Sequence, residues 1–272
     1  RRPGRLARMC PDRPASARPA PARPASARPT SARPAAARPG LVFGLRPATL
    51  RILAALGVAA LLAAMAFDLL GPPGLIAAAA IPHNDFDMFH VVGRLALAGR
   101  LDEAYDLQAM LAAQIELGGV PRPMTWSYPP PFDLLLAPLG WLGRDAAYLL
   151  FTGGGLALYL AALARLSGPY FGLVVMGALP AAMMSVRSGQ NGCLTAALLA
   201  FAALAVLRGR EGRAGLPLGL LVIKPHLGLG LGLWALVTGR GRLLGTACLA
   251  AAAACAAATA AFGPSIWGVF LG

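Results

Sequence analysis

The sequence predicts an all-α, polytopic integral membrane protein, and three observations carry that prediction. Of its 272 residues, 57% are hydrophobic, above the roughly 45–50% of a soluble domain. Mean hydropathy is +0.64. Several runs approach the roughly 20 apolar residues needed to cross a bilayer. The net charge of +13 does not point to nucleic acid, because much of it sits in the first 50 residues. A nucleic-acid surface needs basic residues on a folded face with aromatics among them, and the tail supplies no such face. The four cysteines are Cys10, Cys193, Cys248 and Cys255. They form no C-x-x-C pair and have no histidine at metal-ligand spacing, so neither a metal site nor a disulfide is expected.

Residues 1–47 form a low-complexity tail. From Arg13 to Pro39 an R-P-x-x-A unit recurs every five residues. That period matches neither helix nor strand, and proline in each unit removes a backbone donor. A disordered or polyproline II tail is expected, followed by a transmembrane domain over 48–272. Thr49 to about Leu70 is the first membrane helix. The arginines before it place its N-terminal end in the cytoplasm by the positive-inside rule. Asp68 is expected at the interface. Gly71-Pro72-Pro73 ends the helix, and Leu75–Ile81 is a short apolar continuation.

The segment His83-Asn84-Asp85-Phe86-Asp87-Met88-Phe89-His90 opens an outer loop, 82–128. The loop holds six acidic residues (Asp85, Asp87, Asp102, Glu103, Asp106, Glu116) against three arginines. Two carboxylates between two histidines are unusual in a chain with 13% charged residues. Either they are a solvated face, or one is a catalytic base just outside the bilayer. Asn84 or Asp85 is placed to cap a helix from about Phe86 to Ala98, with Asp87 and His90 on its polar face. Asp102 is expected to cap a second. Both are amphipathic, and both are expected to lie on the bilayer. Trp126 and Tyr128 are expected at headgroup level.

Further helices are predicted over about Phe132–Leu142, Ala146–Leu166, Leu194–Leu207, Leu216–Val237 and Leu243–Phe262. Gly168–Val186 is apolar but split by Pro180. If every run crosses once, the basic loops 208–213 and 239–242 fall on opposite faces. A hairpin broken at Pro225, entering and leaving on the cytoplasmic side, removes that conflict. A re-entrant or doubly crossing passage at Pro180 then sets both loops inside. Broken backbone is tolerated in a membrane where it lines protein or a cavity. The arrangement puts Gln190 and Asn191 on the outer side and points Lys224 and His226 towards them. Lys224 is the one lysine among 24 basic residues, and an ionisable residue at membrane depth is a functional candidate.

Several blocks resemble glycosyltransferase family 87. They are Asp85-Phe86, Ala96–Arg100 followed by Ala104-Tyr105-Asp106, Ser127-Tyr128-Pro129-Pro130 with Leu134–Leu139, Gly189-Gln190-Asn191-Gly192, and Ile223-Lys224-Pro225. They stand in the family's order and span about residues 50–270. The resemblance implies a GT-C-like helical bundle, similar to the polyprenol-phosphate-mannose-dependent mannosyltransferases. It implies Asp85 as general base. Where the family commonly has Gln after Lys-Pro, this chain has His226. Members are usually longer, so the C-terminal helices of the family are expected to be missing.

The residues suit that chemistry on their own terms. Moving a sugar from a polyprenyl phosphate needs a base on the acceptor hydroxyl and cationic or hydrogen-bonding groups on the leaving phosphate. Asp85 supplies the first. Asp87, His90, Tyr128, Gln190, Asn191, Lys224 and His226 are the candidate substrate-binding residues. The expected function is transfer of a hexose, with mannose implied, to a lipid or glycan acceptor. The expected place is the outer face of a bacterial inner membrane. The partners are membrane lipids, the lipid-linked donor and the acceptor, with no nucleic acid, no metal and no cofactor. A multi-pass transporter and an inactive truncated relative are the competing readings.

Overall fold

The computed structural model describes residues 45–70, 84–117 and 123–272. The repeat tail up to residue 44, the break at Gly71-Pro72-Pro73, Leu75–Ile81 and His83 lie outside those residues. Every element among the described residues is helical. Three stretches are long and apolar enough to cross a membrane: Pro47–Leu70, Arg144–Ser188 and Gly241–Phe262. Gly192–Leu207 and Pro225–Val237 are shorter apolar helices. The chain is an all-α membrane protein.

Helix α1 (Pro47–Leu70) starts with Pro47 in its first turn, where a missing N–H costs nothing. Its 24 residues span about 36 Å at 1.5 Å per residue. Helix α2 (Asn84–Leu97) follows. A 3-10 turn, Leu101–Ala104, leads to α3 (Leu107–Glu116). The cap of α3 is Asp106, whose Oδ1 accepts from the Ala109 N–H at 2.8 Å. Asp102 was expected in that role, but it sits inside the 3-10 turn, one turn too early to reach the free amides of α3.

The apolar face of α2 is not offered to lipid. Phe86, Phe89, Val92 and Leu95 are buried. Phe89 meets Trp126, Tyr128, Phe132 and Phe151 edge-on at 5.1–5.9 Å between centroids. Burying such side chains is worth about 1.5–3 kcal/mol each. Two glycines allow the approach. A Cβ on Gly93 would lie 2.5 Å from the Leu136 carbonyl oxygen, and one on Gly140 would lie 2.6 Å from Gly93.

The segment expected as one helix to Leu142 is α4 (Pro130–Leu136) followed by a 3-10 turn, Ala137–Trp141. It does not cross. Arg144 pairs with Asp87, so its far end returns to the level of α2. Next come α5 (Arg144–Tyr148), a π-helical turn (Leu149–Gly153) and α6 (Gly154–Ser167). Gly155 lets Leu194 approach, as its hypothetical Cβ would lie 3.4 Å from the Leu194 nitrogen. The chain reverses at Gly168 and enters α7 (Phe171–Ser188). Pro180 lies inside α7, which is one helix. The expected re-entrant passage at Pro180 is therefore absent, and the parity is corrected at 130–142 instead.

Helix α8 (Gly192–Leu207) runs back. Then α9 (Glu211–Leu220), a 3-10 turn (Leu221–Ile223) and α10 (Pro225–Val237) form the broken hairpin. Arg240 pairs with Glu211 at 2.6 Å, so both feet of the hairpin share one end of the bundle. Helix α11 (Gly241–Phe262) runs beside α9, with Gly215 against Thr246 and Leu243 and Gly219 against Ala247. This is small-residue packing at four-residue spacing, suited to helices in lipid. A short α12 (Ser265–Leu271) closes the chain near Tyr105, whose ring lies 6.1 Å from Phe270.

The bundle thus has two ends of different charge. Arg46, Arg51, Arg165, Arg208, Arg210, Arg213, Arg240 and Arg242 belong to one. Asp85, Asp87, Asp102, Glu103, Asp106, Glu116, Asp133 and Asp145 belong to the other, where they outnumber Arg94, Arg100 and Arg144. Single cysteines placed at Gly209 and Gly241, in a chain lacking its native four, should react with an impermeant thiol reagent from the same side. One at Asp102 should react from the opposite side. Labelling of Gly209 and Gly241 from opposite sides would rule out the hairpin.

Candidate active site

Three backbone features converge at the acidic end. The first is the opening turn of α2, which carries Asp85. The second is the α7–α8 connection. Gly189 ends α7 in the left-handed region at φ 66°, a conformation that costs glycine little. Its α-carbon faces Phe86 so closely that a side chain would collide with the Phe86 Cβ. The third is the tip of the α9–α10 hairpin, where Lys224 precedes Pro225. Proline cannot donate the amide that would extend α9, so the chain turns there.

The side chains on these features meet. The Lys224 ammonium donates to Asn191 Oδ1 at 3.2 Å and stands 5.9 Å from the centroid of the Tyr128 ring. Tyr128 donates its phenolic hydrogen to Gln190 Oε1 at 3.4 Å. The same oxygen accepts the Asn191 backbone N–H at 3.1 Å. Asn191 is fully buried, while Asp85, Tyr128, Gln190 and Lys224 are half-buried. Burial lifts the Asp85 carboxyl above its ordinary value. A hydrogen bond from Gln190 and the charge of Lys224 both act the other way. The cluster therefore holds a carboxylate, an ammonium, two amides and a phenol around one point.

Three of the expected substrate-binding residues are not in it. Asp87 is engaged by Arg144 Nε at 2.8 Å. His90 donates from Nε2 to the Leu142 carbonyl at 3.0 Å, which fixes the tautomer, since a carbonyl only accepts. Both stand on the face of α2 turned away from Asp85. His226 is exposed in the first turn of α10.

The structure adds a carboxyl that the sequence reading passed over. Asp133 is fully buried. Its Oδ1 accepts from Trp126 Nε1 at 2.9 Å, and its Oδ2 lies 2.6 Å from the Tyr105 hydroxyl. Burial pushes its carboxyl up to about 7, against the lowering effect of those two hydrogen bonds. The available signal was an acidic residue inside an apolar helix, a costly placement unless it is partnered. Trp126, expected at headgroup level, is 7% exposed because its indole N–H is committed to this carboxyl.

Residues 126–272 match glycosyltransferase family 87. The chain belongs to that family. The match covers more than half of the chain, including Tyr128, Gln190, Asn191 and Lys224, and it begins after Asp85. No curated protein and no solved structure matches the chain. Membership in glycosyltransferase family 87, together with the apolar helices, makes this a membrane glycosyltransferase.

A buried ion pair sets the height of the α7–α8 connection. Asp68, at the end of α1, meets Arg187 Nε at 2.8 Å, with no exposure of the Asp68 side chain. The interface position expected for Asp68 is thus replaced by a protein interior. Removing one partner of such a pair leaves an uncompensated charge and costs about 3–5 kcal/mol. Arg187→Met should lower the unfolding midpoint of the purified protein strongly. Adding Asp68→Asn should recover part of the loss, and a double variant less stable than the single would refute the pairing.

Proposed function

We propose that this family 87 glycosyltransferase moves a hexose, with mannose the favoured sugar, from a polyprenyl-phosphate donor to a hydroxyl of a lipid or glycan acceptor. The observation that carries the reading is the meeting of Asp85 with Lys224 and the Gln190–Asn191 turn at one end of the bundle. In this reading the acceptor oxygen bonds to the anomeric carbon while the bond from that carbon to the phosphate oxygen breaks. The hydroxyl proton passes to the Asp85 carboxylate. The phosphate leaves with the electron pair, and its charge is met by Lys224 and by hydrogen bonds from Asn191 and Tyr128. Cations and donors fixed in place beforehand stabilise such a leaving group without reorganising.

A lipid donor fits the surroundings. An apolar groove of about 450 Å³ begins at Pro225, beside Lys224. It continues between α9, α10 and α11 past Leu221, Gly228, Gly232 and Cys248. A prenyl chain lying there would bring its phosphate to the hairpin tip. The arginine-rich end fits the cytoplasmic face by the positive-inside rule. That assignment puts the cluster on the outer face of a bacterial inner membrane and the amino terminus inside.

The test is turnover of labelled polyprenyl-phosphate-mannose in membranes. General-base assistance is typically worth about 10²–10⁴ in rate. Asp85→Asn should therefore lose nearly all turnover at normal abundance, and Asp87→Asn much less. Because the base must be ionised, wild-type turnover should fall on acidification. Burial of Asp85 makes that fall begin above the ordinary carboxylate value of about 3.9. An active Asp85→Asn beside a dead Asp87→Asn would reassign the base.

A further inference from the structure

The Tyr105 hydroxyl carries one hydrogen, yet two oxygens lie within hydrogen-bond reach. Asp133 Oδ2 is at 2.6 Å and the Tyr128 carbonyl at 2.9 Å. A carbonyl has no hydrogen to give. If Asp133 were ionised, one of these two contacts would set unshared oxygens against each other without a hydrogen between them. A hydrogen on Asp133 Oδ2 makes both contacts favourable. Asp133 then donates to Tyr105, and Tyr105 donates to the Tyr128 carbonyl.

We propose that Asp133 is a protonated positioning residue that works through Tyr105 to hold the Tyr128 backbone, and with it the phenol ring that faces Lys224. It touches no reacting group, and its role in turnover rests on the donor reading given above. Its surroundings agree. The carboxyl is fully buried, and burial pushes it up to about 7. Among the described residues no charged side chain bears on it. Tyr105 is the one titratable group that does, and Trp126 is its other polar partner. Tyr105 is itself pushed well above its ordinary value by burial and by Asp133, so it stays a donor throughout. The Tyr128 ring in turn contacts Phe89 and Phe132 at 5.6 and 4.4 Å between centroids. Displacement of the carbonyl would therefore be passed to the ring.

The sign of the pH effect follows. The folded protein keeps the Asp133 proton up to about 7, whereas the unfolded chain gives it up at an ordinary carboxylate value. Stability from this group is present at low pH and is lost as pH rises towards about 7. Infrared spectra of the purified full-length protein provide the direct test. Below about 7 the wild type should show the carbonyl stretch of a protonated carboxyl, and Asp133→Asn should lack it. An amide at 133 gives the same donor and acceptor pattern without titrating. The Asn variant should therefore keep the low-pH unfolding midpoint of the wild type and lose its decline with rising pH. If Asp133→Asn does not accumulate, Trp126→Phe serves instead. Loss of the donor to Oδ1 should move the band to higher frequency. An unchanged spectrum in both variants, or a decline in the midpoint that persists in the Asn variant, would overturn the inference. Turnover of the labelled donor, where measured, should fall above about 7 in the wild type and stay level in Asp133→Asn. A correct spectrum with no turnover at any pH would count against the donor reading and leave the protonated Asp133 standing.

Discussion

The helix break at Lys224-Pro225 governs much of this structure. Proline at the start of α10 cannot supply the amide that would continue α9, so the chain turns inside the bundle and returns to the end it left. Two consequences follow from that one missing N–H. The arginines on either side of the hairpin, at 208–213 and 240–242, come to the same end, as Arg240 and Glu211 show by pairing. The residue before the break is also left at the tip, where its ammonium reaches Asn191 Oδ1 and the Tyr128 ring. That residue is the only lysine in the chain. An arginine there would present a wide planar fork, whereas lysine presents a compact charge on a flexible stem. Lysine is the better fit to a narrow gap between an amide oxygen and an aromatic face.

A lysine held at that depth would be costly without partners already in place, and the rest of the bundle provides them. Asn191 is completely buried and gives Lys224 its oxygen. It is held by the turn after α7, and α7 is held by the Asp68–Arg187 pair beside α1. The same turn is pressed against Phe86, the residue after Asp85. Asp85 and Lys224 are thus carried by separate elements, and Gly189 brings the α7–α8 turn against the first of them. Neither would be placed by its own helix alone.

The sequence made part of this visible. Apolar runs of membrane length gave the helices, and the charge of the two basic loops was enough to require the hairpin at Pro225. Asp85, Tyr128, Gln190, Asn191 and Lys224 were each singled out, and the structure brings them into one cluster. What the sequence left hidden depends on contacts between distant residues. Pro180 looked like a break because proline usually is one, but α7 is continuous through it from Phe171 to Ser188. The 130–142 segment looked like a crossing because it is apolar. Phe132, Leu136 and Leu139 are instead buried, and the segment meets α2 at the Gly93–Gly140 contact. Asp87 and His90 were expected to bind substrate beside Asp85 because they are close to it in sequence. In a helix, 100° of rotation per residue turned them to Arg144 and Leu142. Asp133 stood in a short apolar helix with no role assigned, because its partners, Tyr105 and Trp126, lie on separate segments of the outer loop.

The two carboxyls at this end illustrate how environment assigns roles to identical groups. Both are lifted by burial. Asp85 is only half-buried, and it has an ammonium nearby and an amide hydrogen bond that favour its charged form. Asp133 is fully buried among aromatic rings, with neutral donors and no cation. Desolvation of Asp85 is partial and is opposed by the Gln190 hydrogen bond and then by the Lys224 charge, whereas desolvation of Asp133 is opposed by hydrogen bonds alone. Such a separation between neighbouring acids is how one protein keeps one available as a base and another as a donor at the same pH. Here the separation arises first from unequal burial, then from the Gln190 hydrogen bond and the Lys224 charge at Asp85. Lys224 stands over the Tyr128 ring, whereas Asp133 is held by Trp126 and Tyr105. The aromatic cluster on α2 and α4 therefore does more than fill the core. It also packs around Tyr128, whose carbonyl is reached by Tyr105 and whose ring faces Lys224.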